Sequence, residues 1–249
     1  MPPVLTVTGR DVLFAHWALD PAAVEPHVPD GLDVETFDGS AWVSVLALEN
    51  RGFGPGPMAP PSWLRRGVPQ LNLRTYVTMG GQSGVYFLSL DTGDRLAAWA
   101  GRRGFGIPFH RARMRLSRRG DEVSVRSRRE GDPPAAFRAR YRPTGRTYRA
   151  ESDTIEEFCI ERFRYFLPAD EDRRFGAGGG GGGRVGELDR EPWDLRPAAA
   201  TIRENTLFEA AGIPAPTGDP VVQYSPGFTM RVEPLVTGTT GDATPGRLG

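Results

Sequence analysis

The sequence predicts an α+β fold whose sheet is mainly antiparallel. Two observations predict it. Segments with period-two alternation outnumber segments with helical periodicity, and most of them follow one another through short turns rather than through crossover helices.

Taken in order, Arg10–Leu19 alternates loosely and reads as a strand with Phe14 and His16 on one face and Trp17 on the other. Asp20 followed by Pro21 is a helix start, and Pro29 with Gly31 ends that short helix. Leu32–Phe37 and Ala41–Leu48 form a hairpin over Asp38-Gly39. Asn50–Pro69, rich in proline and glycine, reads as a long loop anchored by Trp63, a length that suits a lid or binding segment.

A second hairpin joins Leu71–Thr78 to Val85–Leu90 across Gly80, Gly81 and Gly84, which tolerate the positive φ of a tight reversal. Pairing Thr78 with Val85 sorts the side chains cleanly. Leu73, Thr75, Val77, Tyr86, Leu88 and Leu90 fall on one face. The other carries Tyr76 opposite Phe87, Arg74 opposite Ser89 and Asn72 opposite Asp91.

Asp91–Arg103 then forms a short helix, and Pro108–Ser117, Glu122–Ser127 and Ala136–Arg142 form a three-strand meander. Ser152–Phe166 is a helix with a Thr154/Glu157 capping box and an apolar stripe through Ile155, Phe158, Cys159 and Phe163. The glycine run within Phe175–Gly186 is a mobile hairpin tip between Arg164–Leu167 and Arg184–Leu188. Leu195–Asn205 is a strand and Thr206–Gly212 a short helix. Val221–Ser225 and Thr229–Leu235 close the domain as a hairpin over Pro226-Gly227, and residues 237–249 form a frayed tail.

Composition removes several function classes. Basic and acidic residues number 31 each, so no bulk field draws the chain to nucleic acid or to an anionic membrane. Acidic residues interrupt the arginine-rich stretch from Arg111 to Arg149, which argues further against nucleic acid. Every basic residue is arginine, so a Schiff-base mechanism through a lysine amine is excluded. A single cysteine, Cys159, and three scattered histidines offer no metal-ligand spacing, and no cofactor motif is present: Gly101–Gly106 is not a dinucleotide fingerprint. No signal-peptide start and no bilayer-length apolar run occur, and the expectation is a cytoplasmic protein with no membrane partner.

The candidate site residues come from the second hairpin. Arg74 held by Asp91, with Asn72 and Ser89 beside it and Tyr76 or Tyr86 at its edge, makes a receptor for a carboxylate or phosphate. A solvated sheet face carrying a diagonal ion pair is the plainer reading of the same residues. His16 and His110 are candidates to move a proton at such a pocket. Glu161 is a third catalytic candidate, because an acid near a helix C-terminus opposes the dipole and needs another explanation.

Several phrases together carry a resemblance: FAHW (Phe14–Trp17), DGSAWVSV (Asp38–Val45), LNLRTYV (Leu71–Val77), GVYFLSLD (Gly84–Asp91), PFHRARM (Pro108–Met114), FRARYRP (Phe137–Pro143), EEFCIERF (Glu156–Phe163), PWDL (Pro192–Leu195), ENT (Glu204–Thr206) and YSPG (Tyr224–Gly227). With them the chain resembles the YqjF-like family, a domain of unknown function, from about Leu13 to Leu235. The resemblance implies one domain over residues 1–236 and a distant likeness in fold to acetoacetate decarboxylase. That means a strongly curved, mainly antiparallel sheet closing toward a cone or barrel around a pocket, with a few short helices outside. It does not bring the lysine-imine chemistry with it, since this sequence has no lysine. The function expected is a small-molecule pocket for an anionic organic acid. The alternative is a non-catalytic interaction module that uses a sheet edge, with a homodimer as one form of it.

Overall fold

The computed structural model describes residues 5–55, 67–100, 107–168 and 183–237. Its first strands are β1 (Leu5–Leu19), β2 (Asp33–Val34), β3 (Thr36–Phe37), β4 (Ser40–Pro55), β5 (Val68–Met79) and β6 (Gln82–Thr92). The meander follows as β7 (Phe109–Arg119), β8 (Glu122–Arg129) and β9 (Ala136–Pro143). The remainder are β10 (Arg164–Leu167), β11 (Arg184–Asp189), β12 (Arg196–Asn205), β13 (Val221–Val232) and β14 (Val236–Thr237). Helices are short: α1 (Pro21–Val24), α2 (Arg95–Ala100), α3 (Ile155–Ile160) and α4 (Leu207–Ala210).

The strands form one curved, mixed sheet, antiparallel except where β6 pairs with β7 and with β10. It closes on itself twice. Pairing runs from β6 through β7, β8, β9 and β12 to β13, and back through β1, β4 and β5 to β6. On the other side β10 and β11 bridge β6 to β13. The strands β13, β1, β4, β5 and β6 are therefore a wall shared by two interiors.

This wall explains the burial pattern. Alternate residues point to opposite faces of a strand, and here both faces meet a core. Leu13, Ala15, Val43, Val45, Leu71 and Leu73 pack against Val123, Val125, Phe137 and Tyr141 of β8 and β9. Phe14, Leu46, Leu48, Tyr76 and Val85 pack against Cys159 and Ile160 of α3, Tyr165 and Trp193. Strands buried on both sides read as near-continuous apolar runs, as β1 does from Val12 to Trp17.

Most predicted elements are present, and the differences have local causes. Asp20 caps α1 by accepting from the Ala22 amide, and Thr154 caps α3 by accepting from Glu157. The helix over Ser152–Phe166 is shorter than its apolar stripe suggests, because the chain turns at Glu161 and enters β10, which pairs with β11 as expected. Much of Asn50–Pro69 is strand rather than loop, since β4 runs on to Pro55 and β5 begins at Val68. Trp63, the Gly101–Gly106 stretch, the run of glycines through Gly182 and the tail from residue 238 lie outside the described residues.

The expected hairpin over Pro226-Gly227 is absent, and β13 passes straight through. Opposite this dipeptide β1 bends at Asp11, whose φ is 54°, and the ladder skips the Asp11–Pro226 pair. Proline has no amide hydrogen to give there. At Gly227 a Cβ would lie 2.6 Å from the Gly9 carbonyl oxygen, so the glycine serves a close backbone approach, not a turn.

Candidate functional site

The hairpin of β5 and β6 supplies the site, but in a different register from the one its alternation suggests. The turn is only two residues, Gly80 and Gly81, so Met79 faces Gln82 and Tyr76 faces Val85. Arg74 pairs with Phe87, and then the register shifts: Leu73 pairs with Ser89, Asn72 with Leu90 and Leu71 with Asp91. Leu88 is the extra residue of a β-bulge. Beyond it, every side chain of β6 changes face.

The bulge separates the residues that sequence alternation places together. Asn72, Arg74 and Tyr76 share a face with Phe87 and Leu90. Ser89 and Asp91 turn to the other interior, where Arg129 donates through Nε to Asp91 at 2.8 Å and through Nη2 to Ser89 at 3.0 Å. Burial pushes the Asp91 carboxyl above its usual range, with Arg129 opposing. Tyr86 lies on the face opposite Arg74, as its alternation indicates, and packs beside Val77, Met79, Phe166 and Val185, so it is not at the edge of the Arg74 site. The predicted Arg74–Asp91 pairing is thus replaced by an Arg129–Asp91 pair. The signal for Arg129 was the inward parity of Val123, Val125 and Ser127 on β8.

On the Arg74 face a cavity of about 480 Å³ opens among β1, β4, β5, β6, β13 and the segment after α3. Its polar lining follows one strand, with Gln70, Asn72 and Arg74 at alternate positions of β5 and Asn50 next to Gln70. The remaining wall is largely apolar and aromatic, including Leu48, Phe87, Phe109, Trp193, Phe228 and Met230. Two further arginines enter from loops that sequence reasoning did not single out, Arg162 and Arg190.

The three guanidinium groups are not equivalent. Arg162 pairs with Glu35 at 2.7 Å and lies 4.4 Å from the Phe158 ring centroid. Arg190 pairs with Glu161 at 2.9 Å and donates to the Ile160 and Arg162 carbonyls. Burial pulls the Arg190 pKa down, and Glu161 pulls it back. Glu161 also accepts from the Trp193 amide. Its otherwise unexplained position at the C-terminus of α3 is thereby accounted for structurally. Arg74 is buried, donates from Nη2 to the Cys159 carbonyl at 2.7 Å, and has no carboxylate of the described residues within ion-pair distance.

Behind Arg74 lies a buried hydrogen-bonded chain. His16, Ser44 and Arg74 occupy one row across β1, β4 and β5. His16 Nδ1 and Ser44 Oγ are 2.6 Å apart, Ser44 Oγ and the Tyr76 hydroxyl 2.6 Å, and Tyr76 donates to the Cys159 carbonyl at 2.8 Å. Since the Tyr76 proton goes to that carbonyl, its oxygen accepts from Ser44, and Ser44 accepts from His16. This assigns the imidazole proton to Nδ1 and leaves Nε2 without a partner. Burial, reinforced by the Arg74 charge, pushes the His16 pKa down to about 3; Gln223, able to accept from a protonated Nε2, opposes this. Burial likewise raises the Tyr76 phenol, and pushes the Cys159 thiol up to about 12. Neither His16 nor Tyr76 lines the cavity. His110 sits on β7 opposite Asp91 in the parallel pairing, half-buried, outside the cavity lining.

The family model of the uncharacterised conserved protein DUF2071 matches residues 6–229 of this chain, which takes in most of the strands that build the cavity wall. The chain belongs to the DUF2071 family. A DUF2071 relative, the uncharacterised protein YqjF of Bacillus subtilis (strain 168), is 36% identical over 224 residues, covering 89% of this chain and 87% of that protein. The fold is that of the acetoacetate decarboxylase-like proteins. Acetoacetate decarboxylase from Legionella pneumophila superposes with a TM-score of 0.63 at 12% identity, over 95% of this chain and 88% of that one. The enduracididine biosynthesis enzyme MppR, complexed with pyruvate, gives 0.64 at 12% identity, over 95% and 91%. An acetoacetate decarboxylase-like enzyme from Sphingomonas wittichii RW1 gives 0.57 at 17% identity, over 96% and 95%.

Proposed function

We propose that this DUF2071 protein binds a small organic anion in the cavity, with Arg74 receiving its carboxylate. The observation that carries the reading is the unequal state of the three arginines. Arg162 and Arg190 each have a carboxylate, whereas Arg74 is buried at the cavity wall with none of the described residues' carboxylates within ion-pair distance. A buried charge without a partner is costly, and an incoming carboxylate relieves that cost by a charge-assisted hydrogen bond. Asn72, next along the same face, is placed to orient the ligand. Ser89, Asp91 and Tyr86 have no part in this reading, because they point away from the cavity. MppR is described with pyruvate bound, which supports a carboxylate inside this fold. The chain has no lysine, so the reading includes no imine chemistry.

Thermal-shift measurement against a panel of small organic acids tests it. At least one acid should raise the midpoint of the wild type and fail to raise that of Arg74→Ala. Equal shifts in the two proteins, or none in either, would remove Arg74 as the anchor and the reading with it.

A further inference from the structure

We propose that the ligand is a monoanion with a large apolar body, such as a medium-chain or aryl-alkyl carboxylate, rather than a short polar acid or a dianion. This rests on the reading of Arg74 as the anion anchor and goes on to size and polarity. Among the described residues, the buried part of the lining carries Arg74, Arg162 and Arg190 with Glu161 and Glu35 as carboxylates of the last two, which leaves Arg74 as the one positive charge there without a carboxylate. Asp94 also lines the wall, half-exposed at the start of α2 and engaged in contacts of its own. One free positive charge suits one negative charge.

The volume argues for size. A cavity of about 480 Å³ falls within the range of roughly 300–1,000 Å³ that takes drug-sized ligands. Divided by the roughly 30 Å³ that a water molecule occupies in the liquid, it holds on the order of 16 water-sized groups. A two- or three-carbon acid at Arg74 would leave most of this space to water against Phe109, Trp193, Phe228 and Met230, side chains that offer it few hydrogen bonds. Filling the space with methylene or aryl groups removes that apolar surface from water. Apart from Asn50, the half-exposed Asp94 and the two arginines already paired with carboxylates, the polar lining lies along β5, so the ligand's second half meets a mainly apolar wall. A second carboxylate would have to be desolvated against the aromatic wall without a partner.

Isothermal titration of the full chain with acetate, pyruvate, hexanoate, octanoate, suberate and 1-octanol tests both levels at once. Affinity should rise along the monocarboxylates by up to roughly four-fold per added methylene, the value of fully burying each one. Octanoate should bind at least 100-fold more tightly than acetate. Suberate, the same length with a second carboxylate, should bind at least ten-fold more weakly than octanoate, and so should 1-octanol. Acetate and pyruvate matching octanoate, or suberate matching it, would overturn the apolar monoanion while leaving the anchor in place. Octanol matching octanoate, or no binding by any probe, would overturn the anchor itself and this inference with it. None of these comparisons needs a variant. In Arg74→Met, where that protein folds, the octanoate-over-octanol preference should disappear; its persistence would also overturn the anchor.

Discussion

His16 gives the sharpest test of the buried chain behind the cavity wall. Burial and the Arg74 cation together hold its pKa near 3 in the folded protein, against an ordinary 6.5 once the chain unfolds. A group with a depressed folded pKa binds more protons in the unfolded state, so acid favours unfolding. Its contribution to stability is fully present above pH 6.5 and is lost as pH falls from there toward 3. At about 1.4 kcal/mol per pH unit, the loss reaches about 3 kcal/mol by pH 4.5 and about 4 kcal/mol at pH 3, where the folded group itself begins to protonate. Other groups titrate across the same range, so the comparison is between wild type and His16→Gln, each unfolded in urea at pH 7.5 and at pH 4.5. The variant starts less stable, having lost the bond to Ser44, but should lose about 3 kcal/mol less on acidification. Parallel losses in the two proteins would show that His16 is not held neutral, and the proton assignment along His16, Ser44 and Tyr76 would go with it.

The wall and the outer sheet give two further expectations. Gly227→Ala should destabilise by about 1–3 kcal/mol in urea unfolding, since the new methyl would meet the Gly9 carbonyl oxygen of β1. Gly218→Ala, with nothing within 4 Å of the added carbon, is the control and should not. On the outer face of β7, β8 and β9, Arg115, Arg126 and Arg138 lie directly opposite one another across three strands, and none has a carboxylate of the described residues within ion-pair distance. Like charges so placed repel. Arg126→Glu should raise the melting temperature, by less at 0.5 M salt than at 20 mM; a fall would show that the row is stabilised by something other than its own charges.

What the sequence discloses depends on how local each determinant is. The capped helix starts, the meander and the pairing of β10 with β11 were legible, because capping residues, turn residues and alternation act within a few positions. The face of Asp91 was not, because it depends on one extra residue at Leu88. A bulge leaves no signature in a segment that alternates acceptably in either register. Pro226-Gly227 misled for a related reason. Its residues suit a turn, but what they answer to is the bend at Asp11, more than two hundred residues away in the chain. Arg162 and Arg190 were missed because loops carry them to the cavity, and no periodicity connects them to Arg74. The burial of the Arg74 face was suggested mainly by the resemblance, with the aromatic residues Tyr76 and Phe87 among its polar groups as the one local hint. Its physical cause, a wall with an interior on each side, appears only once both closures of the sheet are known.

That double burial also supplies a way to tell a binding group from a structural one. In a wall without a wet face every polar side chain must find a partner inside the protein or wait for one from outside. Arg129 has the Asp91 carboxylate and Ser89, so its charge is paired, while among the described residues Arg74 donates to a carbonyl and its Nε has no partner. Removing one member of a closed, buried pair strands the other charge, at about 3–5 kcal/mol. Arg129→Met should therefore cost that much at neutral pH, and Asp91→Leu combined with Arg129→Met should recover most of the loss. Arg74→Met strands no charge. The Cys159 carbonyl keeps the Tyr76 hydroxyl, so the substitution should cost less than about 1.5 kcal/mol, the value of an ordinary hydrogen bond. Urea unfolding of the four proteins measures all three differences. If Arg74→Met proves as damaging as Arg129→Met, then Arg74 is closed within the fold like its neighbours, and the wall has no charge left over for a ligand.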